Sequence, residues 1–401
     1  MKYAVLIPDG MADYPLEELQ GRTPLEVAET PNMDLIAQRG QVGLVTTVPK
    51  GMTPGSDVAN LAILGYDPKE YYVGRGPLEA ANLGVELQDD EIAFRCNLIT
   101  AEGNTLIDYS AGHISNKEAT ILIKFLNKKL GSEAIRFYPG VSYRHLMVIK
   151  TDAMEELLGV KCFPPHDIMG GKISKHLPKG KSAALLLDLM NKSRELLTNH
   201  EINHVRIDLK ENPANMIWLW GQGTKPDMPR FVYKFGINGA VISAVDLIKG
   251  IAKVIGLDVI KVPGATGYYD TNYRGKANYA IKALKSKDFV FVHVEATDEA
   301  GHNGDLRMKI ACIEKFDQEV VGPIMKHFSK DKEFRLLVTP DHATPIKMRT
   351  HADDPVCFAM YGKGIQASNT PTYCEKTAKE ANVKFEKGHE LMRHFIKQIS
   401  L

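Results

Sequence analysis

Three apolar runs of strand length end abruptly in acid or imidazole, and this pattern constrains the fold more than any other feature of the chain. The first is Tyr3-Ala4-Val5-Leu6-Ile7-Pro8, closed by Asp9-Gly10. The second, Val290-Phe291-Val292-His293-Val294-Glu295, leads into Asp298 and His302. The third, Leu336-Leu337-Val338-Thr339-Pro340, leads into Asp341-His342. Near-continuous apolar strands suit a largely parallel sheet covered by helices on both faces, since neither face then meets water. In open α/β sheets the ligand lies outside the carboxyl ends of the strands, which is where these side chains fall. An α/β fold follows, with strands expected at 3–8, 216–220, 289–295 and 335–339. Helix patterns lie between them, as over 308–328, where Ile310, Ile313, Phe316, Val320 and Ile324 mark one face. Asp317 is expected at that helix's solvated edge.

The residue types suit phosphoryl transfer. The migrating group carries dispersed negative charge, and two divalent cations about 3.5–4 Å apart hold both the attacking and the leaving oxygen. Mixed carboxylate and imidazole donors favour manganese or zinc over the all-oxygen shells of magnesium and calcium. Asp298 and His302 share one side if the chain turns helical after Glu295. In Thr53-Pro54-Gly55-Ser56-Asp57 the serine is the candidate nucleophile, activated by metal coordination. Singly, Asp9-Gly10, Asp341-His342 or Ser56 reads as ordinary turn or capping chemistry. Their co-occurrence, with His351 following in Arg349-Thr350-His351, carries the inference.

These motifs, in type and order, resemble those of the alkaline phosphatase superfamily, and within it the cofactor-independent phosphoglycerate mutases of archaeal type. The strings Pro31-Asn32-Met33-Asp34, Gly74-Arg75-Gly76-Pro77, Trp218-Leu219-Trp220-Gly221 and Ile242-Ser243-Ala244-Val245-Asp246 extend the likeness through nearly the whole chain. The resemblance implies an alkaline-phosphatase-like sheet sandwiched by helices, with a smaller inserted α/β domain. It implies one metal on Asp298, His302 and His351, a second on Asp9, Asp341 and His342, and Ser56 between them as the residue phosphorylated. The reaction implied takes phosphate from 3-phosphoglycerate onto the serine and returns it to the other hydroxyl, with Mn²⁺ or else Zn²⁺ or Co²⁺ as cofactor and no bisphosphoglycerate. His113 and Arg144 fall in strings that resemble the archaeal-type insert, and with Arg274 and Lys276 they are the expected substrate contacts. Arg95 and Lys172 are as readily solvated charges. The Arg-Asp pair, further insert arginines and leaving-group lysine of the longer bacterial form have no clear counterpart here. Two rivals follow: a related phosphotransferase such as a homoserine kinase, and a metal-dependent phosphomonoesterase.

Composition sets outer bounds. A formal charge of +1 over 401 residues gives no basic field for nucleic acid, so the expected partner is a small phosphorylated molecule. No stretch approaches the ~20 apolar residues of a membrane span. The short N-terminal run lacks the form of a secretory signal. Five scattered cysteines without C-x-x-C spacing point to reduced thiols and a cytoplasmic location. The metal motifs sit toward the two ends, so the middle is expected to be an insert of residues 84–210 with its own core, leaving 1–83 and 211–401 as one discontinuous metal-binding domain. Within the insert, 116–130 and 182–199 have helical spacing. Gly74-Arg75-Gly76-Pro77 and Gly170-Gly171-Lys172 lack fingerprint spacing after a strand and read as surface turns.

Overall fold

The computed structural model describes residues 1–329 and 333–397. The chain forms two compact units, one of Met1–Tyr72 and Met228–Leu401, the other of Val73–Asp227. In chain order the strands are β1 (Lys2–Pro8) and β2 (Gln41–Val45), then β3 (Glu91–Glu102), β4 (Thr105–Asp108), β5 (Ile135–Val141), β6 (Arg144–Lys150) and β7 (Met216–Gly223). The chain continues with β8 (Gly239–Ile242), β9 (Asp258–Val259), β10 (Phe289–Val294), β11 (Phe334–Val338), β12 (Val356–Gly362) and β13 (Lys384–Phe385).

In the first unit eight strands run in the order β13-β2-β12-β11-β1-β10-β8-β9. The stretch from β11 through β1, β10 and β8 to β9 is parallel, and β12 is antiparallel to both neighbours. Strands β10 and β11 are buried throughout and β1 nearly so, as their uninterrupted apolar sequences require. Register is what matters for function. Pro8 stands opposite Val294 and Leu6 opposite Val338, so the three apolar runs end at one level and release their polar residues along one edge.

The second unit is an antiparallel sheet in which β3 pairs with β4, β6 and β7, and β6 with β5. It has a core of its own, including Phe94, Leu98, Leu122, Leu126, Met147, Leu186, Leu189 and Trp218. The helix Asn116–Leu130 starts on a capping box between Ser115 and Glu118, and Ala183–Thr198 supplies the second helical layer.

Two expectations about this unit need correction. The apolar run at 216–220 belongs here, pairing Leu219 with Cys96, and not in the parallel sheet. A strand covered on both faces has the same sequence signature in either sheet. The limits 84 and 210 also fall inside the unit, because the helix Arg75–Leu83 packs on its strands. A Cβ on Gly76 would lie 2.3 Å from the Ala93 carbonyl, and one on Gly74 2.3 Å from that of Gln222. The Gly-Arg-Gly string is thus a close-packed helix start and not a surface turn.

Asp317 is likewise misplaced by helical periodicity. It is fully buried at the head of a π-turn, Asp317–Val321, and its carboxylate accepts hydrogen bonds from Asn32 N at 3.2 Å and Met33 N at 2.7 Å. It thereby satisfies free N–H groups in the first turn of the helix Pro31–Arg39. Among the described residues no helix is long and apolar enough to cross a membrane.

Candidate metal and phosphotransfer site

The shared strand ends deliver Asp9 after β1, Glu295 and Asp298 after β10, and Asp341-His342 after β11. Asp298 and His302 then lie one turn apart on the helix Ala296–Asn303. Gly10 makes the junction possible. Its φ is +61°, and a Cβ there would lie 2.5 Å from both Asp298 Oδ1 and Thr344 Oγ1. Its N–H donates to Asp341 Oδ1 at 3.1 Å, tying β1's end to β11's.

Ser56 opens the helix Ser56–Ile63, with its hydroxyl 3.2 Å from His342 Nε2. The neighbouring hydroxyl of Thr344 decides which nitrogen of His342 carries hydrogen. Thr344 Oγ1 gives its one hydrogen to Asp298 Oδ1 at 2.5 Å, so the contact to His342 Nδ1 at 3.2 Å needs Nδ1–H as donor. That leaves Nε2 as a lone pair facing Ser56, 3.4 Å from Asp9 Oδ1 and 3.6 Å from Asp341 Oδ2. One turn along the helix, Asn60 Nδ2 donates to Ser56 O at 2.8 Å and to Asp341 Oδ2 at 2.7 Å, linking the serine to the acid cluster. Sequence reasoning passed over Asn60; its signal is the i+4 spacing from Ser56.

On the other side, His302 Nδ1 is 3.1 Å from Arg349 O and His351 Nδ1 is 3.4 Å from Pro54 O. A carbonyl only accepts, so both rings carry hydrogen on Nδ1. Their Nε2 atoms nevertheless face each other at 2.9 Å, with Asp298 oxygens 3.2 Å from His302 and 3.5 Å from His351. Two lone pairs and a carboxylate converging on one point require a positive charge between them, and a divalent cation supplies it. Asp298, His342 and His351 form one group of converging donors and Asp9, His293 and Asp341 another. Asp9 Oδ1 is buried without a hydrogen-bond partner among the described residues. A buried orphan of this kind is costly unless a cation satisfies it, so the donor set fits a pair of divalent metals.

The electrostatics agree. Burial, with Asp341 and Asp298 adding negative charge, pushes Asp9 well above the usual carboxylate range. Burial would raise Asp341 too, but the imidazoles of His342 and His293 hold it below that range. Burial alone would lower His302, yet Asp298 carries it up to about 9.

His293, Glu295 and Lys276 complete the inner region. His293 Nε2 lies 3.3 Å from Asp9 Oδ2, and its Nδ1 is 3.2 Å from Glu295 Oε1. Sequence reasoning gave neither residue a role, although both stand in the run that ends at Asp298. Lys276, expected at the substrate, has no exposed surface, and its ammonium is bonded to Glu295 Oε2 at 2.9 Å and to His293 O at 2.8 Å. It shares the buried stripe of its helix with Tyr273, Ala277 and Ala280, which a lysine enters only when paired.

The family model described as 2,3-bisphosphoglycerate-independent phosphoglycerate mutase matches residues 37–203. A protein of that name from Methanosarcina barkeri is 52% identical over 399 residues, covering 99% of this chain and 100% of its own. The chain belongs to this mutase family. Among solved structures, a protein from Pyrococcus horikoshii superposes with a TM-score of 0.83 at 32% identity, covering 100% of this chain and 98% of its own. The cofactor-independent phosphoglycerate mutase of Thermoplasma acidophilum gives 0.66 at 26% identity, with both chains covered in full.

In this member of the mutase family the expected insert cations fall on a patch rich in aromatic rings. Arg144 is half-buried with its guanidinium 5.5 Å from the Tyr143 ring centre, and His113 packs edge-on to the same ring. Ala111, Gly112 and His113 are all left-handed, with Asp108 accepting from Ser110 N and Gly112 N inside the loop. Non-glycine residues held in that region cost energy, which the loop's own hydrogen bonds offset. Trp220 is approached by the guanidinium groups of Arg95 at 4.9 Å and Arg75 at 5.3 Å. Arg95 is buried against Glu79 at 3.5 Å, so it is not a solvated charge. Lys172 is exposed in a bridge to Thr105. In the other unit, Arg274 is exposed in the first turn of Tyr273–Ala283.

Proposed function

We propose that this protein interconverts 3-phosphoglycerate and 2-phosphoglycerate without bisphosphoglycerate, through a phosphoserine at Ser56. The observation that carries the reading is the placement of Ser56 Oγ, 3.2 Å from His342 Nε2, among two groups of converging carboxylate and imidazole donors. Full-length relatives named for this activity support it.

Asp298, His302 and His351 would hold one divalent cation, and Asp9, Asp341, His342 and Ser56 the other, with His342 also within reach of the first group and His293 beside the second. Mn²⁺ is the proposed ion, with Zn²⁺ or Co²⁺ able to use the same donors. When bound, the pair supplies charge that stabilises the migrating phosphoryl group and favours the ionised serine. Ser56 Oγ bonds to phosphorus as the bond from phosphorus to the C3 oxygen breaks, and the hydroxyl proton passes to that oxygen. The second half reverses these changes at the C2 oxygen. Ser56 opens a helix, so the phosphoserine meets free N–H groups and the positive end of the helix dipole. Arg144 and His113 of the insert, with Arg274, are proposed to take the substrate's carboxylate and phosphate. Lys276 is removed from that set by its burial. The five free cysteines favour a cytoplasmic setting.

The test supplies Mn²⁺-loaded protein with 3-phosphoglycerate and follows phosphoenolpyruvate through added enolase while assaying free phosphate. Phosphoenolpyruvate with little phosphate is the expected result. Phosphate alone would instead mark a phosphomonoesterase, and silence in both assays with transfer from ATP to homoserine would mark a kinase.

A further inference from the structure

We infer that Thr344, anchored by the buried ammonium of Lys309, is a positioning residue that holds Asp298 and His342 at a fixed spacing for the cations. The inference rests on the two-cation reading above and gives a task to two residues outside its ligand sets.

Lys309 and Asp13 form an ion pair whose side chains have no exposed surface. An ammonium has three hydrogens to donate, and here they meet Asp13 Oδ2 at 2.8 Å, Thr344 O at 2.8 Å and Ala12 O at 3.3 Å. One side chain on the helix Leu306–Phe316 thus ties the segment after β1 to the segment after β11. Asp13 adds to the hold: its carboxylate accepts from Ile346 N at 3.1 Å, and its own N–H donates to Glu375 Oε1 at 3.2 Å. Thr344 N in turn donates to Ala12 O at 3.2 Å. Both backbone groups of Thr344 are therefore bound, and a β-branched side chain is stiff about χ1, so the backbone largely sets where the hydroxyl points.

It points at two ligands. Oγ1 lies 2.5 Å from Asp298 Oδ1 and 3.2 Å from His342 Nδ1, bridging a carboxylate delivered by β10 and an imidazole delivered by β11. The contact at Nδ1 leaves Nε2 as the nitrogen of His342 that can face a cation, and Asp298, His342 and His351 converge as one donor group. Gly301 permits the close approach. It lies between Asp298 and His302 on their helix, where a Cβ would stand 2.4 Å from Thr344 O and 2.8 Å from Thr344 Cγ2. A side chain there would push Thr344 away from the ligands. Hydrogen bonds to metal-ligating groups fix their orientation, and the residues that make them tune the affinity of the site.

The test titrates Mn²⁺ into metal-stripped protein by calorimetry. Thr344→Val keeps the shape and both backbone bonds but removes the hydroxyl, and is expected to weaken Mn²⁺ about 10–100-fold, the range typical of groups that orient metal ligands. Thr344→Ser, which keeps the hydroxyl and drops the methyl, is expected to bind close to the parent. Lys309→Met should weaken the ions in the same direction, and combined with Thr344→Val it should lose no more than the worse single variant, since the two act through one hydroxyl. Where Lys309→Met melts early in chelator, Asp13→Asn takes its place in the cycle with the same expectation. Unchanged affinity in Thr344→Val would overturn the inference. So would a Thr344→Ser variant as weak as Thr344→Val, by making the methyl's packing the cause. Losses that multiply in the double variant would overturn the anchoring by Lys309. If the unmutated protein binds no Mn²⁺, the two-cation reading itself falls.

Discussion

A single added methyl group at Gly10 would meet the two oxygens that organise the outer donors, Asp298 Oδ1 and Thr344 Oγ1, each at 2.5 Å. Gly10→Ala is expected to cost about 1–2 kcal/mol for the left-handed φ alone and to displace Asp298. Calorimetric titration with Mn²⁺ should then find one ion where the parent takes two. Ser56→Ala makes the opposite separation. It should abolish phosphate transfer, read by the enolase-coupled assay, while still binding both ions; full activity in that variant would rule out the covalent intermediate. Asp298→Ala and His351→Ala should each lose one ion and most of the activity. At this scale the structure brings together Asp9, Ser56, Asp298, His302, Asp341, His342 and His351, which the sequence marked out because most of them follow a recognisable strand or turn. Lys276, His293 and Glu295 were harder to read. A cation near metal motifs suggests substrate, and only the stripe it shares with Tyr273, Ala277 and Ala280 reveals that its partner is inside the protein.

Strands and helices raise a different set of expectations. On β6, His145 is buried and its Nδ1 accepts a hydrogen bond from Gly140 N at 3.0 Å. Burial, with Arg144 beside it, lowers this imidazole to about 3. The sign follows directly: the folded unit keeps His145 neutral while the unfolded chain takes up a proton near pH 6.5. Stability is therefore intact above pH 6.5 and falls as the pH drops from there toward 3. Between pH 6.5 and 5 the loss should be about 1–2 kcal/mol. Thermal melts of the excised segment 73–227 across that range would show it, and His145→Gln should flatten the dependence. Periodicity read the helices of this unit well, since capped, amphipathic segments announce themselves. It failed where burial on both faces erases the pattern, as in β7, and where a buried acid serves a neighbouring helix, as Asp317 serves Pro31–Arg39.

For the molecule as a whole, ions that bind only the folded state stabilise it. Mn²⁺ at a hundred times its dissociation constant should add about 2.7 kcal/mol for each site. Calorimetric scans with and without chelator should show a drop in the melting of the metal-bearing unit. The excised segment 73–227, which contains no proposed metal ligand and has its own core, should melt cooperatively at a temperature indifferent to chelator. The division of the chain was legible in outline from the motif-free middle. Its limits were not, because the close backbone approaches of Gly74 and Gly76 depend on partners distant in sequence.

The register of β1 between β10 and β11 has one more consequence, for synthesis. Asp9 leaves the ribosome long before Asp298, and Asp341 and His351 follow later still. At about 5–20 residues per second, the contiguous insert can fold while the first strand still waits for both neighbours. A nascent chain thus cannot gather these donors until the strands on both sides of β1 have been made.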